Sequence, residues 1–434
     1  MRRYLIAIAT LAVVAVGLPG STAQAATHPD RRPIVFVHGF SGSAQQYETQ
    51  AKRFASNGYP EDIVDAHDYD STFATESVAT VFARLDQRIT RLLADTGADK
   101  VDLVGHSLGT FLSQSYLANP TRAARVAHYV NLDGATATAP PGGVPTLAIW
   151  GEGPTTRAIV GATNVYLSDQ SHTQTVTSPE SFVEQYRFFT GEEPRTTNLV
   201  PDLFGTTLSG RAVLFPVNAG VTNATLQVFE VGFLSGRRLH ASPVASFELS
   251  GDGSFGPFRA NPLQRYEFAI LRDGAATHHF YFEPFRRSDH LIRLQTSVPG
   301  TGLGALMDTS EGQTDLVINR NKEWWGDQAS GNDELFINGA NVLTAPIAPR
   351  THRTIAIFYF DKGADQVTDL SAPIPAFFSQ PFISAGDVFI PAAPRNFGIT
   401  FIAARSRTGG FDLINVPNWP STTDRITVNV NDFD

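Results

Sequence analysis

The stretch Gly105-His106-Ser107-Leu108-Gly109 has residue types and a spacing that could support covalent chemistry. A β-branched run at 101–104 precedes it, and apolar residues at helical spacing follow over 110–118. Glycines two residues either side of a serine allow a strand and a helix to meet in a sharp turn that exposes the serine. We therefore predict that Ser107 is a nucleophile for acyl transfer. The N–H of Leu108, at the helix N-terminus, is predicted to bind the oxyanion.

A second donor for the oxyanion is predicted in the loop His38-Gly39-Phe40-Ser41-Gly42. This loop follows Ile34-Val35-Phe36-Val37, an apolar run typical of a strand buried on both faces of a parallel sheet. A glycine-containing loop at that place can turn a backbone N–H toward the nucleophile. We assign this donor to Phe40.

A serine nucleophile needs a general base, which here must follow the serine in the chain and lie just past the carboxyl end of a strand. His172 meets both conditions, because it lies between a predicted strand at 164–167 and the last predicted helix. His128 lies at the entrance of a strand, at the opposite edge of the sheet, which indicates a structural role. His172 is therefore the predicted base.

The third member of such a site is a buried carboxylate that orients the histidine. Asp133 directly follows the predicted strand at 126–132, and Glu152 follows the next strand at 146–150. Either carboxylate could reach the base; we favour Asp133 and keep Glu152 as the alternative. Asp169 is close to the histidine in sequence but is more typical of a turn.

These residues need a sheet to position them, and the sequence from 34 to 191 alternates strands with helices. Such alternation predicts a right-handed, doubly wound parallel sheet, in which ligands bind at the carboxyl ends of the strands. The predicted strands are 34–37, 63–66, 101–104, 126–132, 146–150 and 164–167, and the predicted helices are 76–94, 110–118 and one from Ser178-Pro179 to Gly191.

The first 25 residues have the pattern of a secretory signal peptide, with Arg2-Arg3, an apolar run over 4–18 and a small-x-small site at Ala23-Gln24-Ala25. The run is short for a membrane anchor, so we predict a secreted, extracellular protein. The 434 residues contain no cysteine, which excludes disulfides and thiol nucleophiles, and their formal net charge of −9 disfavours nucleic acid as a partner. A serine, a histidine and a carboxylate need no metal or cofactor, and none is predicted.

After residue 196 the pattern changes to short alternating strands separated by Gly, Asn, Asp and Pro turns. With a linker near 297–302, these strands predict two β-sandwich-like units, 205–298 and 303–434, behind a catalytic unit at 26–196. The predicted strands are 211–217, 225–233, 245–249, 266–271, 279–285, 314–319, 334–337, 354–359, 387–391, 398–403, 410–416 and 425–431.

Two features of this half could be functional, but both have a simpler interpretation. Trp324-Trp325 could form an exposed aromatic platform for lipid or polymer surfaces, although a packed core is the favoured interpretation. Asp361, Asp365 and Asp369 have the spacing of a degenerate calcium loop. They lack its central glycine and its bidentate glutamate, so a solvated turn is favoured.

A family resemblance is carried by segments spread over the catalytic unit: Val37-His38-Gly39, 54–60, 97–107, Asn131-Leu132-Asp133-Gly134, Ser171-His172 and Thr177-Ser178-Pro179-Glu180. These segments resemble a group of secreted lipases, represented by a thermophilic archaeal long-chain lipase, in which an α/β-hydrolase domain precedes β-rich domains. The resemblance implies carboxylic ester hydrolysis, with the acid at the Leu-Asp-Gly position, Asp133. The archaeal relative carries a helical lid where this chain has only the residues from Asp70 to Glu76. This difference from the relative predicts a minimal hydrolase domain without a lid insertion and with a more open site.

Together these features predict a secreted serine carboxylic ester hydrolase of the lipase type, which hydrolyses acylglycerol esters through an acyl-enzyme at a lipid or polymer surface. The β-units would hold the enzyme at an insoluble substrate or shape the acyl-chain path. A polyester depolymerase and a short-chain esterase stay open as alternatives, because pocket shape decides between them. A surface-binding protein with a vestigial hydrolase domain is an alternative of another class.

Overall fold

The structure is a computed structural model that describes residues 31–394 and 397–431. The predicted signal peptide at 1–25 lies outside the described residues. Within them, no helix is both long enough and apolar enough to cross a bilayer. Up to residue 196 the described chain forms an α/β part, and after it a β-rich part.

A six-stranded parallel sheet forms the centre of the α/β part, which confirms the predicted doubly wound architecture. Its strands are β1 Ile34–Val37, β2 Val64–His67, β3 Val101–His106, β4 Val126–Leu132, β5 Thr146–Trp150 and β6 Thr163–Tyr166. They lie in the order β2-β1-β3-β4-β5-β6, so the direction of strand addition reverses between β1 and β3. The crevice at such a reversal, outside the carboxyl ends of the strands, is where sheets of this kind bind ligands.

Helices cover both faces of this sheet, and the last of them has the end signals that the sequence predicted. The helices are α1 Glu48–Ser56, α2 Val78–Thr96, α3 Leu108–Leu117, α4 Pro120–Ala123, α5 Gln174–Thr177 and α6 Pro179–Thr190. Ser77 caps α2 by accepting a hydrogen bond from the N–H of Thr80 at 3.2 Å. Gly97 and Gly191 end α2 and α6 in the left-handed region, where glycine has no steric penalty.

Helix α1 has no counterpart among the predicted helices. Its buried side chains include Glu48, Lys52 and Arg53, so burial in this helix does not follow the division into polar and apolar residues by which a surface helix is predicted. Lys52 Nζ lies 2.8 Å from the carboxylate of Asp289 in the β-rich part and also contacts Glu48. The helix is therefore enclosed by the rest of the chain on the side that the sequence would assign to solvent.

The β-rich part contains three sheets and one short helix, α7 Pro375–Phe378, among the described residues. Its strands are β7 Thr207–Leu214, β8 Ala219–Gly220, β9 Ala224–Val231, β10 Ala245–Leu249, β11 Ser254–Arg259, β12 Arg265–Leu271, β13 Thr277–Phe282, β14 Asp289–Thr296, β15 Leu316–Arg320, β16 Glu334–Ile337, β17 Ala340–Asn341, β18 Ala356–Phe360, β19 Ile383–Asp387, β20 Thr400–Arg405, β21 Phe411–Val416 and β22 Asp424–Val430. The sheets have the orders β10-β9-β12-β13-β22-β15-β18-β19, β11-β7-β14 with β8 beside β7, and β17-β16-β20-β21.

The eight-stranded sheet runs through both predicted β-units. Strand β22 lies between β13 and β15 and is parallel to both, so it joins strands from before and after the predicted linker. Phe280 and Tyr281 are neighbours on β13 but belong to different hydrophobic cores. The two smaller sheets therefore pack on opposite faces of the eight-stranded sheet. The two units therefore share main-chain hydrogen bonds, and their division near residue 300 stays a prediction.

The tryptophan pair and the aspartate run of this half have structural roles. Trp324 and Trp325 are 0% and 7% exposed, which confirms the core interpretation. Asp361, Asp365 and Asp369 each accept a hydrogen bond from a nearby backbone N–H at 2.9 Å, as turn residues do. Asp365 and Asp369 are exposed, but Asp361 is buried, so the predicted solvated turn is wrong for this residue.

A buried ion-pair cluster attaches the β-rich part to the α/β part. Asp68, directly after β2, lies 2.8 Å from a guanidinium nitrogen of Arg211 and 2.7 Å from one of Arg293. Burial alone would raise the pKa of Asp68, but the two guanidinium groups hold it well below its usual value. Separating the two parts would leave these charges unpaired, so the parts are expected to stay together.

Candidate active site

Ser107 lies in a strained turn between β3 and α3. Its backbone angles are φ 51° and ψ −121°, outside the regions that residues with a side chain favour. Packing explains both flanking glycines: a Cβ on Gly109 would lie 2.2 Å from the carbonyl oxygen of Val37, and one on Gly105 would lie 2.7 Å from that of Gly109. The close approach of helix to sheet thus places Ser107 at the carboxyl end of β3, where it borders a cavity.

The loop after β1 comes close to this serine. A Cβ on Gly39 would lie 2.9 Å from the Cβ of Ser107, so a larger residue would have to push the loop away. Phe40 comes next and borders the same cavity. The backbone N–H groups of Phe40 and Leu108 donate no hydrogen bond to any described residue. Both donors are therefore available to an oxyanion formed at the serine.

The structure pairs His172 directly with Asp133. His172 Nδ1–H donates to Asp133 Oδ2 at 2.6 Å. The other carboxylate oxygen accepts from the N–H of Gly151 at 2.9 Å and from Arg157 at 2.8 Å. Burial alone would raise the pKa of Asp133, but the hydrogen bonds and charges of these partners lower it to about 2. The ionised carboxylate fixes the imidazole tautomer and leaves Nε2 for proton exchange with a nucleophile.

The other candidate residues lie elsewhere. The Glu152 carboxylate is bound by Arg350 of the β-rich part, with a nitrogen–oxygen distance of 2.7 Å. Asp169 is exposed. His128 Nδ1 lies 2.8 Å from a carboxylate oxygen of Asp102, between β3 and β4. The structure therefore brings Asp133, and not Glu152, to the predicted base.

His106 supports the loop that carries His172. Its Nε2–H donates to the backbone carbonyl of His172 at 3.0 Å, and its Nδ1 accepts from the side-chain amide of Gln46 at 3.0 Å. The two imidazole rings are 4.5 Å apart between centroids. Burial lowers the pKa of His106 well below its usual value, so this ring is neutral. Sequence reasoning missed this residue because the motif places no requirement on the position before the serine.

Two residues of the β-rich part hold the same loop from the other side. Glu323 accepts a hydrogen bond from the N–H of Thr173 at 2.7 Å and another from the hydroxyl of Ser171. Arg407 donates to the oxygen of that hydroxyl at 3.1 Å. Glu323 lies 150 residues from Thr173 along the chain, so no local pattern could have identified it. The position of the predicted base thus depends on both parts of the chain.

A cavity lies beside Ser107, with walls from both parts of the chain. The α/β wall is formed by residues 39–43, Gln45, Gln46, His106, Ser107, His172 and Thr173. The opposite wall comes from the β-rich part and consists of Phe215, Gln295, 319–321, Ile355, Ala356, 381–383 and Val430. The more open site that the missing lid implied stays a prediction. The segment between β2 and α2 is short, but the β-rich part covers the site instead.

A second cavity adjoins the first. The residues shared by the two cavities are Phe215, Gln295, Asn319, Ala356 and Ile383. Beyond this neck the second cavity follows one face of the eight-stranded sheet, past Val317 and Phe358. We refer to the two adjoining cavities together as the sheet channel; the first borders Ser107, and the second lies in the β-rich part.

Three protein-family models match the chain. Residues 31–119 match the model of the class 2 lipases, residues 205–299 match that of the lipase C-terminal domain, and residues 302–434 match that of a further C-terminal domain. These matches confirm the resemblance to lipases with β-rich C-terminal domains. The particular likeness to a thermophilic archaeal lipase stays a prediction.

Several solved structures are similar to part of the chain. Lipase B of Aspergillus fumigatus is 14% identical over 42% of this chain and 57% of its own, with a TM-score of 0.31. A structure described with two metagenome-derived lipolytic enzymes is 15% identical over 38% of this chain and 95% of its own, with a TM-score of 0.30. Phospholipase PlaB of Legionella pneumophila is 10% identical over 61% of this chain and 94% of its own, with a TM-score of 0.26.

Proposed function

Because this chain is a carboxylic ester hydrolase of the lipase and esterase class, we propose that it is a secreted serine hydrolase that cleaves acylglycerol esters through an acyl-enzyme. The observation that carries this proposal is the 2.6 Å hydrogen bond between His172 and Asp133, beside a serine held at φ 51°. Ser107 and His172 border one cavity at the carboxyl edge of the parallel sheet.

The proposed reaction uses the groups already described. His172 Nε2 accepts the proton of Ser107 as the serine oxygen attacks the ester carbonyl, and Asp133 stabilises the imidazolium that forms. The N–H groups of Phe40 and Leu108 bind the oxyanion. The imidazolium then gives its proton to the leaving alcohol, and water resolves the acyl-enzyme by the same two steps in reverse order.

The sheet channel supports an acyl chain of more than a few carbons, and so favours a lipase over a short-chain esterase. Its two cavities share wall residues and extend from the serine into the β-rich part. The neck includes Phe215, Ala356 and Ile383, which offer apolar surface to an alkyl chain. An alkyl chain bound here gains about 0.8 kcal/mol for each buried methylene group.

Secretion is supported by the basic, apolar and small-residue segments of the first 25 residues. Mass spectrometry of the protein recovered from culture medium would check this part, with Ala26 as the expected first residue.

Ser107→Ala tests the mechanism. Initial rates on p-nitrophenyl esters and triacylglycerol emulsions are expected to fall at least about 10⁴-fold, because the nucleophile is lost. Ser115→Ala is the matched control, since Ser115 is exposed on the same helix, and its rates should equal those of the wild type. Unchanged turnover in Ser107→Ala would contradict the serine mechanism, whereas a wild type that adsorbs to lipid without turnover would favour the surface-binding alternative.

A further inference from the structure

The end of the sheet channel farthest from Ser107 is charged. Arg425, Asp315 and His278 border the second cavity there. Strand β22 runs along both cavities: Val430 borders the first cavity, whereas Thr427 and Arg425 border only the second. Arg425 therefore lies on the side away from Ser107. Five residues of strand span about 16 Å. A long acyl chain that enters from the serine would therefore bring its far end to this group of charges.

The guanidinium of Arg425 makes no hydrogen bond and no ion pair with any described residue. It lies against the linker turn, since a Cβ on Gly304 would be 2.2 Å from one of its nitrogens. Burial lowers the pKa of Arg425 although the charge of Asp315 opposes this. Its nitrogens have no partner in the described protein and are not fully buried, so they can donate hydrogen bonds to a ligand in the cavity.

The groups around Arg425 do not neutralise it. Arg272 lies nearby and donates to the backbone carbonyl of Ser297 at 2.9 Å, while a second guanidinium nitrogen is buried without a partner. Asp315 accepts a hydrogen bond from the side chain of Gln313 at 3.0 Å, and burial raises its pKa to about 7. The channel end therefore has an excess of positive charge and unused N–H donors.

His278 adds no charge to the channel end. Its ring nitrogens are hydrogen-bonded at 2.8 Å to the hydroxyls of Thr296 and Thr427. Burial lowers the pKa of His278 well below its usual value, so the ring is neutral. Arg425 is thus the cationic group that borders the cavity and can select a ligand here, and a guanidinium matches a carboxylate through paired hydrogen bonds.

We propose that the far end of the sheet channel binds the carboxylate of an aliphatic chain through Arg425, with Arg272 beside it. This inference rests on the proposed function, which places the ester at Ser107 and the chain in the channel. Two sources would present the same chemistry. One is a substrate acyl group with a second carboxylate at its far end, and the other is a released fatty acid that binds in the reverse direction.

The first test compares p-nitrophenyl half-esters of dicarboxylic acids with neutral p-nitrophenyl alkanoates of equal length. A short half-ester would place its free carboxylate in the apolar neck, which lowers its kcat/KM. This loss should disappear at the chain length at which the carboxylate reaches Arg425. In the wild type we expect kcat/KM for the half-ester, relative to the neutral ester, to rise about tenfold at that length. Arg425→Gln should abolish the rise without changing the rates of neutral esters whose chains end before Arg425, and Arg425→Lys, which keeps the charge but loses the paired hydrogen bonds, should keep part of the rise.

The second test measures how free alkanoates inhibit hydrolysis of a neutral ester. An increase of about tenfold in the inhibition constant for Arg425→Gln identifies released fatty acid as the ligand. Arg259→Gln, on exposed β11 outside the channel, is the control in both tests and should behave as the wild type. The inference is overturned if Arg425→Gln changes neither the half-ester maximum nor the inhibition constant. A wild type that fails to hydrolyse the neutral esters would instead contradict the proposed function.

Discussion

The two walls of the catalytic cavity are built in different ways. The α/β wall holds the candidate reacting groups, and each of them lies at the carboxyl end of a parallel strand, as Ser107 and Asp133 do after β3 and β4. The β-rich wall carries none of these groups and offers side chains such as Phe215 and Ile383 from distant strands. Under the proposed function, bond chemistry would belong to one wall and selection of the acyl chain to the other.

The two walls are joined by contacts on the loop that carries His172. Glu323 and Arg407 belong to the β-rich part, yet they bind residues on that loop. The separation of roles is therefore incomplete, because one wall positions a reacting group of the other. Substitutions on each wall and at the joint should give distinguishable kinetic results.

Asp133→Asn tests the α/β wall and should have the largest effect. An amide cannot stabilise the imidazolium and favours the wrong tautomer, so kcat should fall about 10⁴-fold on esters of every chain length. Steady-state kinetics on short and long p-nitrophenyl esters would measure this. Glu152→Gln is the control, because Glu152 pairs with Arg350, and its kcat should stay within about threefold of the wild type. A larger loss of kcat in Glu152→Gln than in Asp133→Asn would instead assign the acid to Glu152.

Glu323→Gln tests the joint between the walls. Weakening the charge-assisted hydrogen bonds to the His172 loop should misplace the imidazole and lower kcat about tenfold, with little change in KM for short soluble esters. Glu334→Gln is a matched control, since Glu334 pairs with Arg405 at the surface of another sheet, and it should leave both constants unchanged. A Glu323→Gln enzyme with altered KM and normal kcat would place this residue in substrate binding instead.

Ile383→Trp tests the β-rich wall. Ile383 borders both cavities, so a larger side chain should close the neck and lower kcat/KM for long-chain esters about tenfold, while short-chain esters keep their rate. Val317→Trp is a second variant for comparison, because Val317 borders only the second cavity. This variant should slow only esters whose chains are long enough to pass the neck. Rates measured against chain length would show the difference. Equal losses at every length would indicate that the walls do not have separate roles.

Asp315→Asn should have the smallest effect, and it concerns stability. The folded-state pKa of Asp315 is raised to about 7 by burial, so this carboxyl stabilises the fold below its unfolded pKa and loses that contribution as pH rises through about 7. The Tm of the wild type should therefore fall relative to that of Asp315→Asn between about pH 4 and pH 8, by a few degrees. Calorimetry across this pH range would measure the difference in Tm. A difference that stays constant with pH would contradict the raised pKa of Asp315.

The α/β wall was predictable from sequence because its signals are local. The predicted bounds of β4 and β5 are those of the structure, and Gly191 ends α6 where expected. Parallel strands align their carboxyl ends, so residues that follow strands in sequence meet in space. That rule selected Asp133 and His172, which the structure brings together.

The rest could not be predicted because it depends on contacts between distant segments. Helix α1 was missed since Lys52 and Glu48 are buried against Asp289, a contact that no local pattern contains. Strands β11 and β14 were also missed. The cover over the site was not foreseen, because the sequence shows the missing lid but not the strands that replace it.

Strand β22 completes the eight-stranded sheet from its middle. During synthesis on the ribosome, every other strand of that sheet emerges first. Until residues 424–430 follow, β13 and β15 are two open edges that could pair with other unfinished chains. An unfinished chain would then already contain Ser107, Asp133 and His172 but lack one side of the sheet channel, so ester cleavage could begin before the choice of acyl chain is established.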